Sequence, residues 1–304
     1  MIFRRNEAKE WARENMRGIW AAALTPFTPG SLAIDEAAVR RNFRHWIEDL
    51  GIEGFFVAGK QGEFFSMTLE ERKRIFEITL EETQGKAGSI MSCSDQNMET
   101  VIELARHAEK IGATSIVVHA PVLHFTHRQD ETLYQYYKTI SEEVGLAIAL
   151  WSHPDSGYLM SPELCARIAE LPNIVAIKYS VPREMYVRLT EMAGDKIIVS
   201  TSSEDEWFDN IVELDWRLYL CSSPPYLLQT KADRRMRDYT DLAFAGKVAE
   251  AKVIRDSHGA PAAVSASIGP GCASSSASPS CTTSTSTTRR PARPRGRHSS
   301  IALA

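Results

Sequence analysis

The sequence predicts an α/β protein whose body is a (β/α)8 TIM barrel. Three observations support this prediction: short apolar segments recur eight times, segments of helical pattern separate them, and the series occupies about 240 residues. Eight strand–helix units typically take about 250 residues in one domain. The chain has 304 residues, 43% hydrophobic and 24% charged, which suffices for a large core.

Each predicted strand is a short apolar segment flanked by Gly, Pro or Ser. Successive starts are 20 to 36 residues apart, which is the length of a strand, a crossover helix and two loops. A doubly wound open sheet is the alternative, but six strands are more typical of it and no GxGxxG motif follows the first strand. The strands are predicted at residues 18–24, 54–59, 89–94, 115–120, 146–151, 174–179, 197–202 and 217–222.

Two of the intervening segments carry clear helix signals. Thr68 and Glu71 have the spacing of a capping box, so a helix is expected to begin there and to run to Glu82. The segment 97–111 is expected to bury one face and to end at Gly112. That face carries Val101, Leu104, Ala105 and Ala108.

The charge and the cysteine spacing of the sequence argue against several classes of protein, including nucleic-acid-binding, membrane-spanning and disulfide-rich proteins. The net charge of −4 does not favour a nucleic-acid partner, and no apolar run approaches the roughly 18 residues of a membrane span. Residues 1–17 are charged throughout and lack the apolar segment of a signal peptide. The cysteines have no CxxC spacing and an odd count, so a reducing cytoplasm fits better than a disulfide framework or a zinc site. They are Cys93, Cys165, Cys221, Cys272 and Cys281.

A domain boundary is predicted near residue 256. Residues 1–256 form the barrel with an N-terminal helix and the start of a C-terminal helical region, and they hold 30 basic and 39 acidic residues. The tail, 257–304, holds five arginines, no Asp, Glu or Lys, and mostly Ser, Thr, Ala and Pro. Such a composition cannot bury enough apolar surface to offset its ordering entropy. Three interpretations of the tail are open: a disordered linker, a basic interaction arm at 289–297, or a reading-frame error. The abrupt change of composition in the middle of a predicted helix favours the reading-frame error.

Functional groups of such a barrel lie at the C-terminal ends of its strands, and Lys178 stands out among them. Alternation along the sixth strand turns Lys178 toward the barrel interior. An inward lysine loses water, which lowers its pKa, and the neutral amine is the form that Schiff-base chemistry needs. An ion-paired structural lysine is the alternative. The bulky side chains expected on the opposite, helix-facing side are Val175, Ile177 and Tyr179.

Strand-end motifs also occur in a characteristic order. Thr25 precedes Pro26 and Phe27, a GKQGE segment occupies 59–63, Pro154 follows the fifth strand, and Lys178 lies in the sixth. Over roughly residues 16–256 this order resembles the dihydrodipicolinate synthase and N-acetylneuraminate lyase family. The resemblance implies a barrel, commonly dimeric or tetrameric, that condenses or cleaves 2-oxo acids through a lysine Schiff base. It implies that Lys178 is this lysine and that backbone N–H groups of 59–63 hold the substrate carboxylate.

The chain departs from the family pattern at the proton relay. Lys60 and Gln61 replace the threonine pair of the loop, and the two relay tyrosines fall on Trp151 and Phe125. An indole has no titrating hydroxyl. The arginine that holds a distal carboxylate in the synthases is absent after Pro154. Dihydrodipicolinate synthesis is therefore not expected, and the chain is interpreted as a divergent member.

Several groups are candidates to replace the relay. His153 or His124 could act as acid or base near neutral pH, although single histidines are more often structural. Lys60 could pair with a substrate carboxylate, lower the pKa of Lys178, or simply be solvated. Glu63 is expected to brace its loop. Aromatic side chains that could line an acceptor pocket or belong to the core are Trp151, Phe125 and Trp207. Histidines that could suggest a metal, but with no carboxylate at a suitable spacing, are His119, His124, His127 and His153.

Two functions follow as hypotheses. The first is a lyase in which Lys178 forms a Schiff base with a pyruvate-type 2-oxo acid and supports aldol cleavage, condensation or dehydration. The second is a barrel that binds a 2-oxo acid or sugar acid without turnover, which the loss of the relay favours. No metal, cofactor, nucleic acid or membrane partner is expected. The predicted catalytic residues are Lys178, Trp151 and His153, and the predicted substrate-binding residues are Thr25, Gly59, Lys60, Gln61, Gly62, Glu63 and Phe125.

Overall fold

The sheet brings together all eight apolar segments of the sequence. The computed structural model describes residues 2–122, 128–154, 158–222 and 224–257, and within these ranges eight parallel strands form one sheet. The strands are β1 (Gly18–Ala22), β2 (Gly54–Val57), β3 (Gly88–Ser92), β4 (Ser115–His119), β5 (Ala147–Ser152), β6 (Ile174–Tyr179), β7 (Ile198–Ser200) and β8 (Leu218–Leu220). Each strand up to β7 pairs with the next one in the chain, and β8 pairs with β1.

Side chains bridge the remaining gap between β7 and β8. The Leu220 N–H donates to the Ser200 hydroxyl over 2.8 Å, and the Tyr219 hydroxyl donates to the Ser202 carbonyl over 3.2 Å. The sheet therefore closes on itself almost completely. The prediction of a (β/α)8 TIM barrel is confirmed.

Helices alternate with the strands and surround the sheet. In the described ranges they are α1 (Ala8–Asn15), α2 (Glu36–Glu48), α3 (Leu69–Thr83), α4 (Met98–Lys110), α5 (Gln129–Glu143), α6 (Pro162–Ile168), α7 (Arg183–Ala193), α8 (Trp207–Leu214), α9 (Pro224–Leu228), α10 (Arg235–Phe244) and α11 (Val248–Asp256). None of these described helices is long and apolar enough to cross a membrane. The predicted tail, 257–304, lies outside the described residues apart from Ser257.

The two helices predicted from local signals form as expected. Before α3, the Thr68 hydroxyl accepts from the Glu71 N–H over 3.2 Å, and the Glu71 carboxylate accepts from the Thr68 N–H over 2.8 Å. This reciprocal pair is the predicted capping box. Asn97 caps α4, and Gly112 beyond its end has a φ of +93°. The predicted inner face of α4 is buried in full, at Val101, Leu104, Ala105 and Ala108.

Six of the eight described strands, β1 to β4, β7 and β8, end one or two residues before the apolar pattern predicts. Ladder pairing stops at Ser200 on β7 and at Leu220 on β8. The residues beyond them are polar or small and hydrogen-bond between strand ends, as the Ser180 and Ser202 hydroxyls do over 3.2 Å. The length of an apolar segment therefore overestimates the length of the hydrogen-bonded strand at the ends where the chain enters the loops of the barrel mouth.

Val175 faces the opposite side from the one predicted. It lies in the barrel-interior cluster, together with its neighbour Ala176. Two consecutive residues of β5 face Ile174 and Ala176, so the pairing skips Val175, which forms a bulge. Strict alternation fails across a bulge and resumes beyond it. Lys178 consequently faces inward, as predicted.

The N-terminal end of the barrel is filled by Trp20 of β1. A Cβ built on Gly54 or Gly88, on the two neighbouring strands, would come within 2.2 or 2.3 Å of the indole ring. Only residues without a side chain leave room for this ring. The buried residues Ala8 and Ala12 of α1 cover the same end. Trp20 therefore closes the barrel interior at this end, and the interior opens at the opposite, C-terminal mouth.

Candidate active site

Four residues form one row across the C-terminal ends of neighbouring strands. His119 on β4 is the register partner of Trp151 on β5. Trp151 is opposite Lys178 on β6, and Lys178 is opposite Ser200 on β7. Adjacent strands lie about 4.8 Å apart, so the row extends about 15 Å across the mouth. Two of the three predicted catalytic residues are thus direct neighbours.

The Lys178 amine is buried. The residue is 4% exposed, and its Nζ donates a hydrogen bond of 3.2 Å to the Cys221 carbonyl. Nζ lies 5.1 Å from the centroid of the Phe56 ring and 6.0 Å from that of the Trp151 ring. Loss of water lowers the pKa of Lys178 to about 8, against a small opposing effect of the Cys221 thiol. The neutral amine is therefore accessible near physiological pH.

Cys221, which accepts from the lysine, is itself fixed to β1. Its backbone N–H donates to the Trp20 carbonyl over 2.9 Å, and its Sγ donates to the same oxygen over 3.2 Å. Burial raises the pKa of the Cys221 thiol to about 12, so the sulfur stays protonated. Sequence reasoning missed this contact with Lys178, because no side-chain pattern marks a backbone acceptor.

Trp151 forms the aromatic wall beside the amine. The residue is 5% exposed, and its ring meets those of Phe56 and His119 edge-on, with centroids 5.1 and 4.5 Å away. Its Nε1 is buried, and no described residue hydrogen-bonds to it. Trp207, the other tryptophan considered, stacks on Tyr219 at 5.2 Å in the helix-side core. Trp207 therefore belongs to the core rather than to the mouth.

The GKQGE segment forms a tight loop after β2. Ala58, just before it, and Glu63, at its end, are left-handed, with φ of +50° and +59°. The Glu63 N–H donates to the Lys60 carbonyl over 3.1 Å. A Cβ on Gly62 would lie 3.1 Å from the Ala23 carbonyl, so the loop backbone is pressed against the end of β1. A glycine at position 62 makes this close approach possible.

The remaining predicted substrate-binding residues lie around the same mouth. A Cβ on Gly59 would come within 2.8 Å of the Phe56 ring, so the loop begins against the aromatic wall of the lysine. Gln61 is partly buried in the loop. Thr25 is 5% exposed and follows β1, next to the strand end that Gly62 touches. Phe125 lies outside the described residues.

His153, His119 and Lys60 are electrostatic neighbours at this mouth. Burial lowers the pKa of His153, and the charges of Lys60 and Lys178 lower it further. Burial also lowers the pKa of His119 to about 4, with additional effects of His153 and Lys60, while hydrogen bonding to the Ala120 backbone opposes the shift. Both imidazoles are therefore neutral near pH 7. His119 is absent from the predicted site residues, although its inward place at a strand end is a signal that could have identified it.

The histidines do not assemble a metal site in the part of the chain that the structure describes. No group of three or more His, Cys, Asp or Glu side chains there is placed to hold an ion. Of the four histidines that could suggest a metal from the sequence, His124 and His127 lie outside the described residues. The groups described at the mouth are the buried Lys178 amine, the neutral imidazoles of His119 and His153, and the glycine-containing loop 59–63.

Comparisons with known proteins agree on one family. Residues 15–259 match the family model for the dihydrodipicolinate synthetase family. The 4-hydroxy-tetrahydrodipicolinate synthase of Thermotoga neapolitana is 30% identical over 247 residues, which cover 78% of this chain and 79% of that protein. The protein of the same name from Thermotoga sp. (strain RQ2) is 33% identical over 198 residues, 63% of this chain. That second match spans 66% of the relative's length, just under two thirds.

A solved structure gives the same result for the fold. The crystal structure of dihydrodipicolinate synthase from Thermotoga maritima superposes with a TM-score of 0.70 and 27% identity, over 79% of this chain and 80% of that one. The family match begins before β1 and ends after α11, so it includes every strand of the barrel. The membership predicted from the strand-end motifs is confirmed: the chain belongs to the dihydrodipicolinate synthetase family.

Proposed function

We propose that the chain is a lyase that acts on pyruvate-type 2-oxo acids through a Schiff base on Lys178. One observation carries the proposal: the Lys178 amine is buried at the C-terminal mouth of the barrel and has a pKa of about 8. A neutral amine attacks a carbonyl carbon, whereas an ammonium group does not. No carboxylate of the described residues contributes to the pKa of Lys178, which argues against the alternative of an ion-paired structural lysine.

The proposed chemistry starts with addition of the amine to C2 of the oxo acid. Loss of water from the carbinolamine gives an iminium ion, which accepts an electron pair. In aldol cleavage a base takes the C4 hydroxyl proton, the C3–C4 bond breaks, and its electrons move to the iminium nitrogen to form an enamine. An aldehyde leaves, C3 is protonated, and hydrolysis releases pyruvate and the amine. Condensation is the reverse, and dehydration removes a C3 proton and hydroxide from C4.

The other predicted residues support these steps. We assign the base to His153, which burial and two lysines keep neutral. Trp151 cannot relay protons, so its proposed part is to exclude water and to donate from its buried Nε1. Backbone N–H groups of 59–63, with Thr25 beside them, would seat the carboxylate, and Lys60 would add positive charge. The role of Phe125 stays a prediction.

The replaced relay shapes the choice of reaction. The named relatives are synthases, but the indole of Trp151 cannot perform a tyrosine's proton transfer. We therefore propose aldol cleavage, condensation or sugar-acid dehydration rather than dihydrodipicolinate synthesis. A cytoplasmic location is consistent with the free, buried thiols of Cys93, Cys165 and Cys221. A homo-oligomer that needs no cofactor completes the proposal.

Borohydride trapping tests the Schiff base directly. The full chain is incubated with pyruvate, reduced with borohydride, and examined by intact mass and peptide mapping. We expect one reduced pyruvyl adduct, on Lys178. The K178A variant should form none, and K86M, which removes an exposed lysine near the other end of the barrel, should behave like the wild type.

The outcomes separate the two functions. An adduct that maps elsewhere, or that persists in K178A, would overturn the mechanism. No adduct in protein with a cooperative thermal transition would favour the second candidate, a barrel that binds a 2-oxo acid or sugar acid without turnover. The specific observation in favour of that candidate is Trp151, which stands where a proton-relaying side chain is expected.

A further inference from the structure

We propose that His119 is a specificity-determining residue that accepts a hydrogen bond from a hydroxyl group on the substrate's carbon chain. This inference rests on the proposed function, because it concerns the part of the 2-oxo acid beyond the carbons that react. It selects a chemical class of substrate: 2-oxo acids whose chain is hydroxylated at C4 and beyond.

The position of His119 supports this role. It is the last residue of β4, and it shares the inward face with Val117, whereas Ile116 and Val118 pack on the helix side. In register it lies two strands from Lys178, which corresponds to about 10 Å between the backbones. A chain that begins at the Lys178 amine and runs along the wall of the mouth would therefore pass over Trp151 and reach His119.

The imidazole is held in place. The His119 backbone N–H donates to the Ser94 hydroxyl over 2.9 Å, and the Ser92 hydroxyl donates to that same Ser94 oxygen over 3.1 Å. The ring stands edge-on to Trp151 at 74°, with the centroids 4.5 Å apart. A fixed donor or acceptor discriminates between ligands better than a mobile one, because no further ordering is needed on binding.

The protonation state of the ring determines what it can bind. With a pKa of about 4, His119 is neutral near pH 7 and carries one N–H and one unprotonated nitrogen. Hydrogen bonding to the Ala120 backbone partly offsets this lowering of the pKa. The N–H nitrogen is a donor. The other nitrogen is an acceptor. It would attract a hydroxyl group and repel a carboxylate.

Space is available on one side of the ring. His119 lines a cavity of about 360 Å³ between the end of β4 and the start of α3, and the other polar side chains that line it include Arg72, Ser94 and Asp95. Neither Lys178 nor Trp151 lines this cavity, so the substrate chain would enter it only after it has passed Trp151. The ring is partly buried rather than enclosed. A chain of several hydroxylated carbons that reaches His119 therefore has room beside the ring.

The test compares three 2-oxo acids that differ only in their hydroxylated chain: 4-hydroxy-2-oxobutanoate, 4,5-dihydroxy-2-oxopentanoate and 4,5,6-trihydroxy-2-oxohexanoate. Dissociation constants are measured by calorimetry, and kcat/KM by pyruvate release, for the wild type, H119F and H119N. Phenylalanine keeps the edge contact with Trp151 and removes both nitrogens. Asparagine restores a short polar group with an acceptor oxygen.

We expect H119F to weaken binding and kcat/KM for the trihydroxy acid about 10- to 100-fold, as for loss of one buried hydrogen bond, and H119N to recover part of the loss. Trapping of pyruvate on Lys178 should fall by a much smaller factor in H119F than binding of the trihydroxy acid does, because pyruvate has no hydroxylated chain. Equal losses for pyruvate and for all three acids would show a structural role and overturn the inference. No change in preference, or no binding of any hydroxylated acid to the wild type, would overturn it as well.

Failure of the proposed function gives a different result. A wild type that forms no adduct would remove the Schiff base, yet the calorimetric comparison of wild type with H119F would still decide the role of His119. An adduct on Lys178 with unchanged preference in H119F would leave the Schiff base standing and refute only the inference.

Discussion

Lys178 and Trp151 occupy opposite positions on β6 and β5, and the lysine Nζ lies 6.0 Å from the centroid of the indole ring. The Phe56 ring, 5.1 Å from the same Nζ, flanks the amine on a second side. A cation gains about 0.5–2 kcal/mol from an aromatic face, which is less than burial of an ammonium group costs. Burial beside these rings therefore destabilises the protonated form of the lysine, and the environment that favours the neutral amine lowers the stability of the fold.

Replacing the lysine should stabilise the protein while it removes the chemistry. The folded-state pKa of Lys178, about 8, is below the ordinary value of 10.5, so the charge opposes folding at pH 7. We expect K178M to raise the free energy of unfolding at pH 7 by roughly 1–3 kcal/mol. Urea denaturation of wild type, K178M and the surface control K86M measures this. A K178M variant less stable than wild type would contradict the account of the buried amine.

The rate of adduct formation with pyruvate should rise with pH. The reactive form is the neutral amine, and its fraction increases through a pKa of about 8. We expect the rate constant, measured by quenching with borohydride after different times, to climb between pH 6.5 and pH 9 and then to level off. Circular dichroism over the same range shows that the fold is constant. A flat profile would indicate that attack by Lys178 does not limit the reaction.

Removing the charge of Lys60 should raise the pKa of two histidines. Lys60 lowers the pKa of both His153 and His119. We expect K60M to move both imidazole titrations to higher pH, which proton NMR of the ring Cε1–H signals measures. K86M is the matched control and should leave both titrations in place. Unchanged titrations in K60M would show that the charge of Lys60 does not contribute to these pKa values.

The neutral state of His119 should also appear in the pH dependence of stability. Its folded-state pKa, about 4, is below the ordinary value of 6.5, so the unfolded chain binds more protons between these values. The stabilisation is present above about pH 6.5 and is lost as the pH falls toward 4. The slope contributed is at most about 1.4 kcal/mol per pH unit. Urea unfolding of wild type and H119F at pH 4.5 to 7.5 should give a smaller slope for H119F, and equal slopes would refute the shift.

Most of the barrel could be predicted because its signals are local. Apolar segments mark strands wherever both faces are buried, and the Thr68–Glu71 pair marks a helix start through its own hydrogen bonds. The inward orientation of Lys178 was predictable for the same reason. The bulge at Val175 was not, because it depends on the register with β5, which is a property of two strands and not of one.

The candidate site was predictable to a smaller extent. Motif order singled out Lys178 and the loop at 59–63 as candidates, since both depend on residue type and place along the chain, and their roles stay predictions. The Cys221 carbonyl that accepts from Lys178, and the contact of His119 with Trp151, arise from strands brought together by closure of the barrel. The pKa of His119 depends on burial, which the identity of the residue does not reveal.

The fit of Trp20 over Gly54 and Gly88 has a consequence far from those glycines. The Trp20 carbonyl holds Cys221, and the Cys221 carbonyl holds the Lys178 amine. A methyl group at either glycine would force the indole aside, and the backbone of β1 would carry that displacement to the Lys178 amine. Alanine at position 54 or 88 is therefore expected both to strain the packing around Trp20 and to displace the Lys178 amine. Variation at these two glycines is therefore coupled, through one tryptophan and one cysteine, to the position of an amine at the opposite end of the barrel.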